Sequence, residues 1–211
     1  MEELSASLAK KISSSLDLSR EKEQVIAYGL IAMIQFFSIL LIVTAIGFIG
    51  HFTYESILIF LGVGLLRKST GGAHSKTMQG CMIVSCISIT LFAWLSKSIL
   101  LFENASTYYL ACYCLIYIVC FLIIYQYAPV DSPNKRIKSE AKRARLRKQS
   151  FTKVILLFLG SILLTCFSKK NIRLQSLANC LCLLTLWQCF TLTKAGIRIL
   201  SFIDGFFSKA H

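Results

Sequence analysis

Proline is almost absent from these 211 residues, with two in the whole chain, and glycine is sparse at 11. That leaves no room for a flexible low-complexity linker. No repeat recurs at a fixed period, which excludes a repeat architecture. Charge is scarce as well, since Asp, Glu, Lys and Arg make up only 16% of the chain, and it leans to one sign, with 23 Lys and Arg against 10 Asp and Glu. The opening "MEELSASLAKKISSSLDLSREKEQ" has acidic first positions and no apolar core before a small-residue cleavage site. It therefore does not read as a signal peptide.

Apolar residues fill the space that these absences leave. They make up 55% of the chain and gather in blocks instead of alternating with polar ones, the composition of a membrane protein. A helix needs about 20 apolar residues to cross roughly 30 Å of hydrocarbon. The run from Val25 to Leu66 is too long for one crossing and divides near "GFIGHF" into two spans joined by a tight turn. A third span is expected from about Gly80 to Phe102, a fourth from Thr107 to Ala128, a fifth from Phe151 to Ser168, and a sixth from near Leu177 past Trp187. Ahead of them, residues 1–24 hold Leu4, Leu8, Ile12 and Leu16 at four-residue spacing. That spacing makes one face of an amphipathic helix lying on a membrane surface or against a partner; a solvated tail is the alternative. The expected fold is all-α: one integral-membrane domain over 1–211, a polytopic bundle of about six transmembrane helices behind an amphipathic helix.

Lysine and arginine in the short connections orient such a bundle. With the N-terminus inside, the cytoplasmic segments carry Lys10, Lys11, Arg20 and Lys22, then Arg67, Lys68 and Lys76, then "NKRIKSEAKRARLRK" in a basic loop at 131–150. The outer turns at 47–52 and 103–106 carry neither residue type, whereas "KKNIRLQS" at 169–176 disagrees with the pattern. Both termini are thus expected in the cytoplasm. The basic run reads first as an orientation signal and a contact for anionic membrane lipids, and second as a dock for an acidic peptide; no nucleic-acid partner is expected. Of the nine cysteines, all but Cys81 stand among Leu, Ile, Phe and Tyr and read as small hydrophobes. Cys112/Cys114 and Cys180/Cys182 lack the gaps and clustered histidines of zinc sites. No metal and no cofactor are expected.

One polar interruption stands out, "RKSTGGAHSKTMQGCM". A thiol attacks carbonyl carbon only as thiolate and so needs a base or a favourable field. His74 is the histidine near a cysteine at this membrane face; His51 falls at the other face and His211 is the last residue. Cys81, at the start of the third span, is expected near the unpaired N–H groups and positive dipole end of a helix, donors that also suit an oxyanion. On one straight helix, positions seven apart are separated by roughly 10 Å, whereas proton transfer needs about 3 Å. The chain must therefore fold back, and Gly71, Gly72 and Gly80 supply permissive backbone for a catalytic loop over 67–80. From these residues alone, an ordinary interhelical loop with an incidental histidine stands beside the catalytic reading.

The pattern "RKSTGGAHSKTMQGC", with Arg67 seven residues before His74 and Cys81 seven after it, resembles the signature of the accessory gene regulator B (AgrB) family of bacterial membrane peptidases. "YAPVDSPNKRI" at 127–137 is similar to that family's segment after its fourth span. The resemblance implies a multi-pass protein of the bacterial cell membrane with its active site near the cytoplasmic face. It implies a cysteine endopeptidase acting on an AgrD-like quorum-sensing precursor, with Cys81 as nucleophile and His74 as general base and then acid. An acyl-thioester would form and be resolved by an internal Cys or Ser into a thiolactone or lactone. Lys135, Arg136 and Lys138 would attract the precursor's acidic tail, and Arg67 would bind a substrate carboxylate or carbonyl, with snorkelling at the span end as the alternative. No third catalytic residue is assigned, although Ser75 and Gln79 are close in sequence. A homodimer is compatible with small-residue helix faces. The rival functions are a peptide transporter or export channel and a noncatalytic membrane scaffold; the few charges within the spans, Glu55, Lys97 and Lys153, weigh against an ion relay.

Overall fold

The computed structural model describes residues 2–72, 78–99, 106–130 and 139–208. Among these the chain is all-helical: α1 (Glu2–Ser15), α2 (Arg20–Ile49), α3 (Thr53–Thr70), α4 (Met78–Ser98), α5 (Ser106–Tyr127), α6 (Glu140–Phe167), a 3-10 turn (Ser168–Lys170), α7 (Ile172–Phe190) and α8 (Lys194–Ser208). The chain forms two units, Met1–Ile42 and Val43–His211.

In the first unit, α1 closes with the Ser13 hydroxyl donating to the Leu18 carbonyl at 3.2 Å. Its small residues Ser5, Ala9 and Ser13 are buried while Leu8, Ile12 and Leu16 are exposed, an apolar face of the kind a membrane-surface helix needs. The first long helix begins at Arg20, so residues 20–24 belong to it and not to the amphipathic segment. No proline or glycine separates them from the apolar run, and Glu21 and Glu23 sit in the first turn, where acids suit the helix dipole.

The second unit is a bundle built on α7, which packs against α3, α4, α5 and α6. Four helices are long and apolar enough to cross a membrane, α2, α4, α5 and α6; α7 and α8, bent by 84° from each other, are a broken fifth span or a re-entrant pair. The count of six is approximate because α3 has only 18 residues and carries Glu55, Arg67 and Lys68. Large apolar side chains face outward, such as Leu115, Ile118 and Leu122 on α5, while Ser69, Ser96, Ser161, Thr165, Asn179, Thr185 and Gln188 are buried. This inversion suits a lipid solvent: hydrocarbon outside removes the drive to hide leucine, and small polar residues let helices approach and bond. Their hydroxyls are satisfied within the helix, as Thr165 to Ser161 O at 2.9 Å and Thr185 to Leu181 O at 2.7 Å, or across helices, as Tyr117 with Ser161 at 3.0 Å.

Two expected loops are shorter than anticipated. The basic stretch at 131–150 is helical from Glu140 onward, opened by the Ser139 cap, because its Ala, Lys, Arg and Leu residues are good helix formers. The loop at 67–80 keeps helix at both ends, through Thr70 and from Met78. Gly80 is therefore a buried residue of α4, not a loop hinge.

Charged residues close to span ends act as ties. Lys153 Nζ donates to Leu65 O at 2.6 Å and Ser69 Oγ at 3.1 Å, joining α6 to the end of α3. Lys97 Nζ donates to His51 O at 2.7 Å at the opposite end of the bundle. There the buried Glu55 accepts from Ser176 Oγ at 2.7 Å.

Candidate functional site

The site is built where α3 ends. Thr70 Oγ1 donates back to Leu66 O at 3.1 Å, and Gly71 N–H to Arg67 O at 2.9 Å. The chain then leaves the helix through Gly71 at φ 70° and Gly72 at φ 128°, angles that side-chain-bearing residues rarely adopt. Crowding adds to the demand for glycine. A Cβ on Gly71 would collide with the Val130 carbonyl, and one on Gly72 would stand 3.0 Å from Thr191 Oγ1 and 3.3 Å from Gln188 Nε2.

Two neighbours hold this exit in place. Val130, just past α5, donates its N–H to Thr70 O at 2.9 Å. Gln188, 1% exposed near the end of α7, donates through Nε2 to Thr70 Oγ1 at 2.9 Å and to Gly71 O at 2.8 Å. Its Oε1 is buried with no partner among the described residues. The ends of α3, α5 and α7 thus converge on Gly71 and Gly72, where the chain leaves α3.

Cys81 is the fourth described residue of α4 and is half-buried. It lines a cavity of about 50 Å³ with Arg67 on α3, Ser85 and Ser88 on its own helix, Thr191 after α7 and Leu200 on α8. Positions 81, 85 and 88 share one face of α4 by helical geometry, so the cavity runs along the helix from the sulfur. The guanidinium of Arg67 and the sulfur of Cys81 are close enough to interact electrostatically.

The structure therefore brings together Arg67 and Cys81, and sets Gly71 and Gly72 on the neighbouring loop root. His74, Lys135, Arg136 and Lys138 lie outside the described residues. No group of three His, Cys, Asp or Glu suited to a metal ion occurs among the described residues.

Sequence reasoning missed Gln188, Thr191 and Leu200. Gln188 did carry a signal, being a carboxamide inside the apolar run "LTLWQCF", where hydrocarbon obliges a polar group to find a partner. Leu200 carried none, because its place on the cavity wall depends on the bend between α7 and α8.

A profile described as "AgrB: Accessory gene regulator B" matches residues 5–192. An AgrB-like protein of Clostridium perfringens strain SM101 is 30% identical over 212 residues, with 99% of each chain covered. An AgrB-like protein 2 of strain 13 is 30% identical over 213 residues, again with 99% of each covered. An AgrB-like protein of Halalkalibacterium halodurans is 24% identical over 78% of this chain and 79% of its own. No solved structure matches the chain.

Proposed function

Because this chain belongs to the accessory gene regulator B family, we propose that it is a membrane cysteine endopeptidase that cleaves and cyclises an AgrD-like precursor of an autoinducing peptide. The observation that supports this reading is the shared cavity of Arg67 and Cys81, on the helices that end and begin on either side of the tethered Gly71 and Gly72.

In this reading His74 takes the proton of Cys81 and the thiolate attacks the carbonyl at the end of the signal segment. A tetrahedral oxyanion forms at that carbonyl. The C–N bond breaks, the leaving amine takes its proton from the imidazolium, and the acidic tail departs. The signal segment remains on Cys81 as a thioester. An internal thiol or hydroxyl of the precursor then attacks that carbonyl and gives its proton to His74. The C–S bond breaks and the ring closes as a thiolactone or lactone. Arg67 balances negative charge on sulfur, and keeping water from the thioester would let ring closure outrun hydrolysis.

By the positive-inside rule this end of the bundle, with Arg67, Lys68, Arg145 and Lys148, faces the cytoplasm in this reading. Reconstituting the chain with its precursor tests the reading by mass spectrometry. Native protein should release the tail and carry a transient thioester, whereas Cys81→Ala should do neither. Cleavage by the alanine variant at the native rate would eliminate Cys81 as nucleophile.

A further inference from the structure

A second cavity, of about 690 Å³, lies between the last turns of α3 and the start of the apolar part of α6. Four cations line it, Lys68, Arg145, Lys148 and Lys153, with Leu65 and Leu146 between them, and no carboxylate is among the described lining residues. Four like charges around one space repel each other, and an anion among them removes that cost. Lys153 is held at this position by its bonds to Leu65 O and Ser69 Oγ, which leaves one of its three ammonium protons for a ligand. The convergence is selective within the basic run. Arg147 turns elsewhere, donating to Tyr125 O with its guanidinium 4.9 Å over the Tyr125 ring.

The walls identify the kind of anion. One helical turn beyond Leu65 lies Leu61, 48% exposed, and one turn beyond Thr152 lies Leu156, 62% exposed; Leu65 itself is 61% exposed. Residues four apart share a helix face, so the cavity continues onto exposed Leu61 and Leu65 on α3 and Leu156 on α6, away from the cations. An acidic peptide would satisfy the charges and leave those leucines bare. A phosphodiester bearing acyl chains satisfies both.

We propose that this cavity binds the headgroup phosphate of an anionic phospholipid, of the phosphatidylglycerol or cardiolipin type, with its acyl chains along Leu61, Leu65 and Leu156. The site is independent of the chemistry at Cys81. It would anchor α3 and α6 to the leaflet beside Lys68, one residue from Arg67.

Native mass spectrometry of the full-length chain, stripped of lipid and supplied with phosphatidylglycerol or phosphatidylcholine, tests the site. The native chain should retain phosphatidylglycerol about tenfold or more over phosphatidylcholine, and Arg145→Gln with Lys148→Gln should remove most of that preference, at about fivefold per cation lost. Both side chains are exposed, so the pair can be replaced without disturbing packing. Lys169→Gln with Arg173→Gln, at the other end of the bundle, should leave the preference unchanged. Equal retention by native and Arg145/Lys148 variants would overturn the proposal. So would equal losses from both variant pairs, or displacement of the lipid by a soluble acidic peptide.

Discussion

The side-chain amide of Gln188 on α7 donates to the carbonyl oxygen of Gly71 at 2.8 Å, fastening the central helix of the bundle to the residue where the chain leaves α3. A buried carboxamide at this point fixes the position of that exit.

Replacing Gln188 by Leu keeps the volume and removes both donors. Hydrogen bonds inside membrane bundles are worth about 0.6 kcal/mol on average and up to about 1.7 kcal/mol, so unfolding should shift little. Tail release should nevertheless fall by about 100-fold, since a 1 Å displacement of a reacting group costs that much. Gln188→Glu, whose carboxylate only accepts, should fall with Leu. Activity at the native level in both variants would remove Gln188 from the mechanism.

Arg67→Gln should slow alkylation of Cys81 by iodoacetamide at fixed pH, because a cation lining the same cavity favours the reactive thiolate. Arg67→Lys should keep part of the rate, because the charge remains while the planar fork is lost. If Arg67 instead only binds substrate, alkylation will be unchanged and precursor affinity alone will drop.

Glycine replacements in α3 and at its exit should separate sharply. Gly71→Ala meets the Val130 carbonyl at a positive φ, so it should abolish tail release and lower the unfolding temperature. Gly64→Ala has nothing within 4 Å of the new methyl and should be neutral or stabilising by up to about 1 kcal/mol from helix propensity. Thermal scans in one detergent make the comparison directly.

Far from the site, Tyr113 donates to Asn179 Oδ1 and accepts from Gln175 Nε2 at 2.8 Å. Tyr113→Phe leaves Asn179 with its bond to Ser96 O at 2.9 Å and Gln175 with Asn179 at 3.4 Å. The loss should stay within about 0.6 to 1.7 kcal/mol, with tail release unchanged. A large drop in activity would mean that this network, at the opposite end of the bundle, is coupled to Cys81.

Much of this protein could be read in one dimension. Hydrocarbon thickness sets span length, so the blocks of apolar residues located α2, α4 and α5, and the spacing of Arg67, His74 and Cys81 carried the family resemblance. Boundaries were less legible at 67–80 and 131–150. Polarity marks where a chain leaves hydrocarbon but does not say whether it stops being helical, and α6 simply continues into water from Phe151 back to Glu140.

Composition alone determined that the chain is a helical membrane bundle with a polar interruption before α4, because burial in lipid is a property of each stretch by itself. Only the tertiary structure decided that Arg67 faces Cys81, that Gln188 holds Gly71 and that Lys153 closes the end of α3. Each of those pairings joins residues from different helices, and which side chains meet is set by helix rotation and packing, which no local pattern encodes.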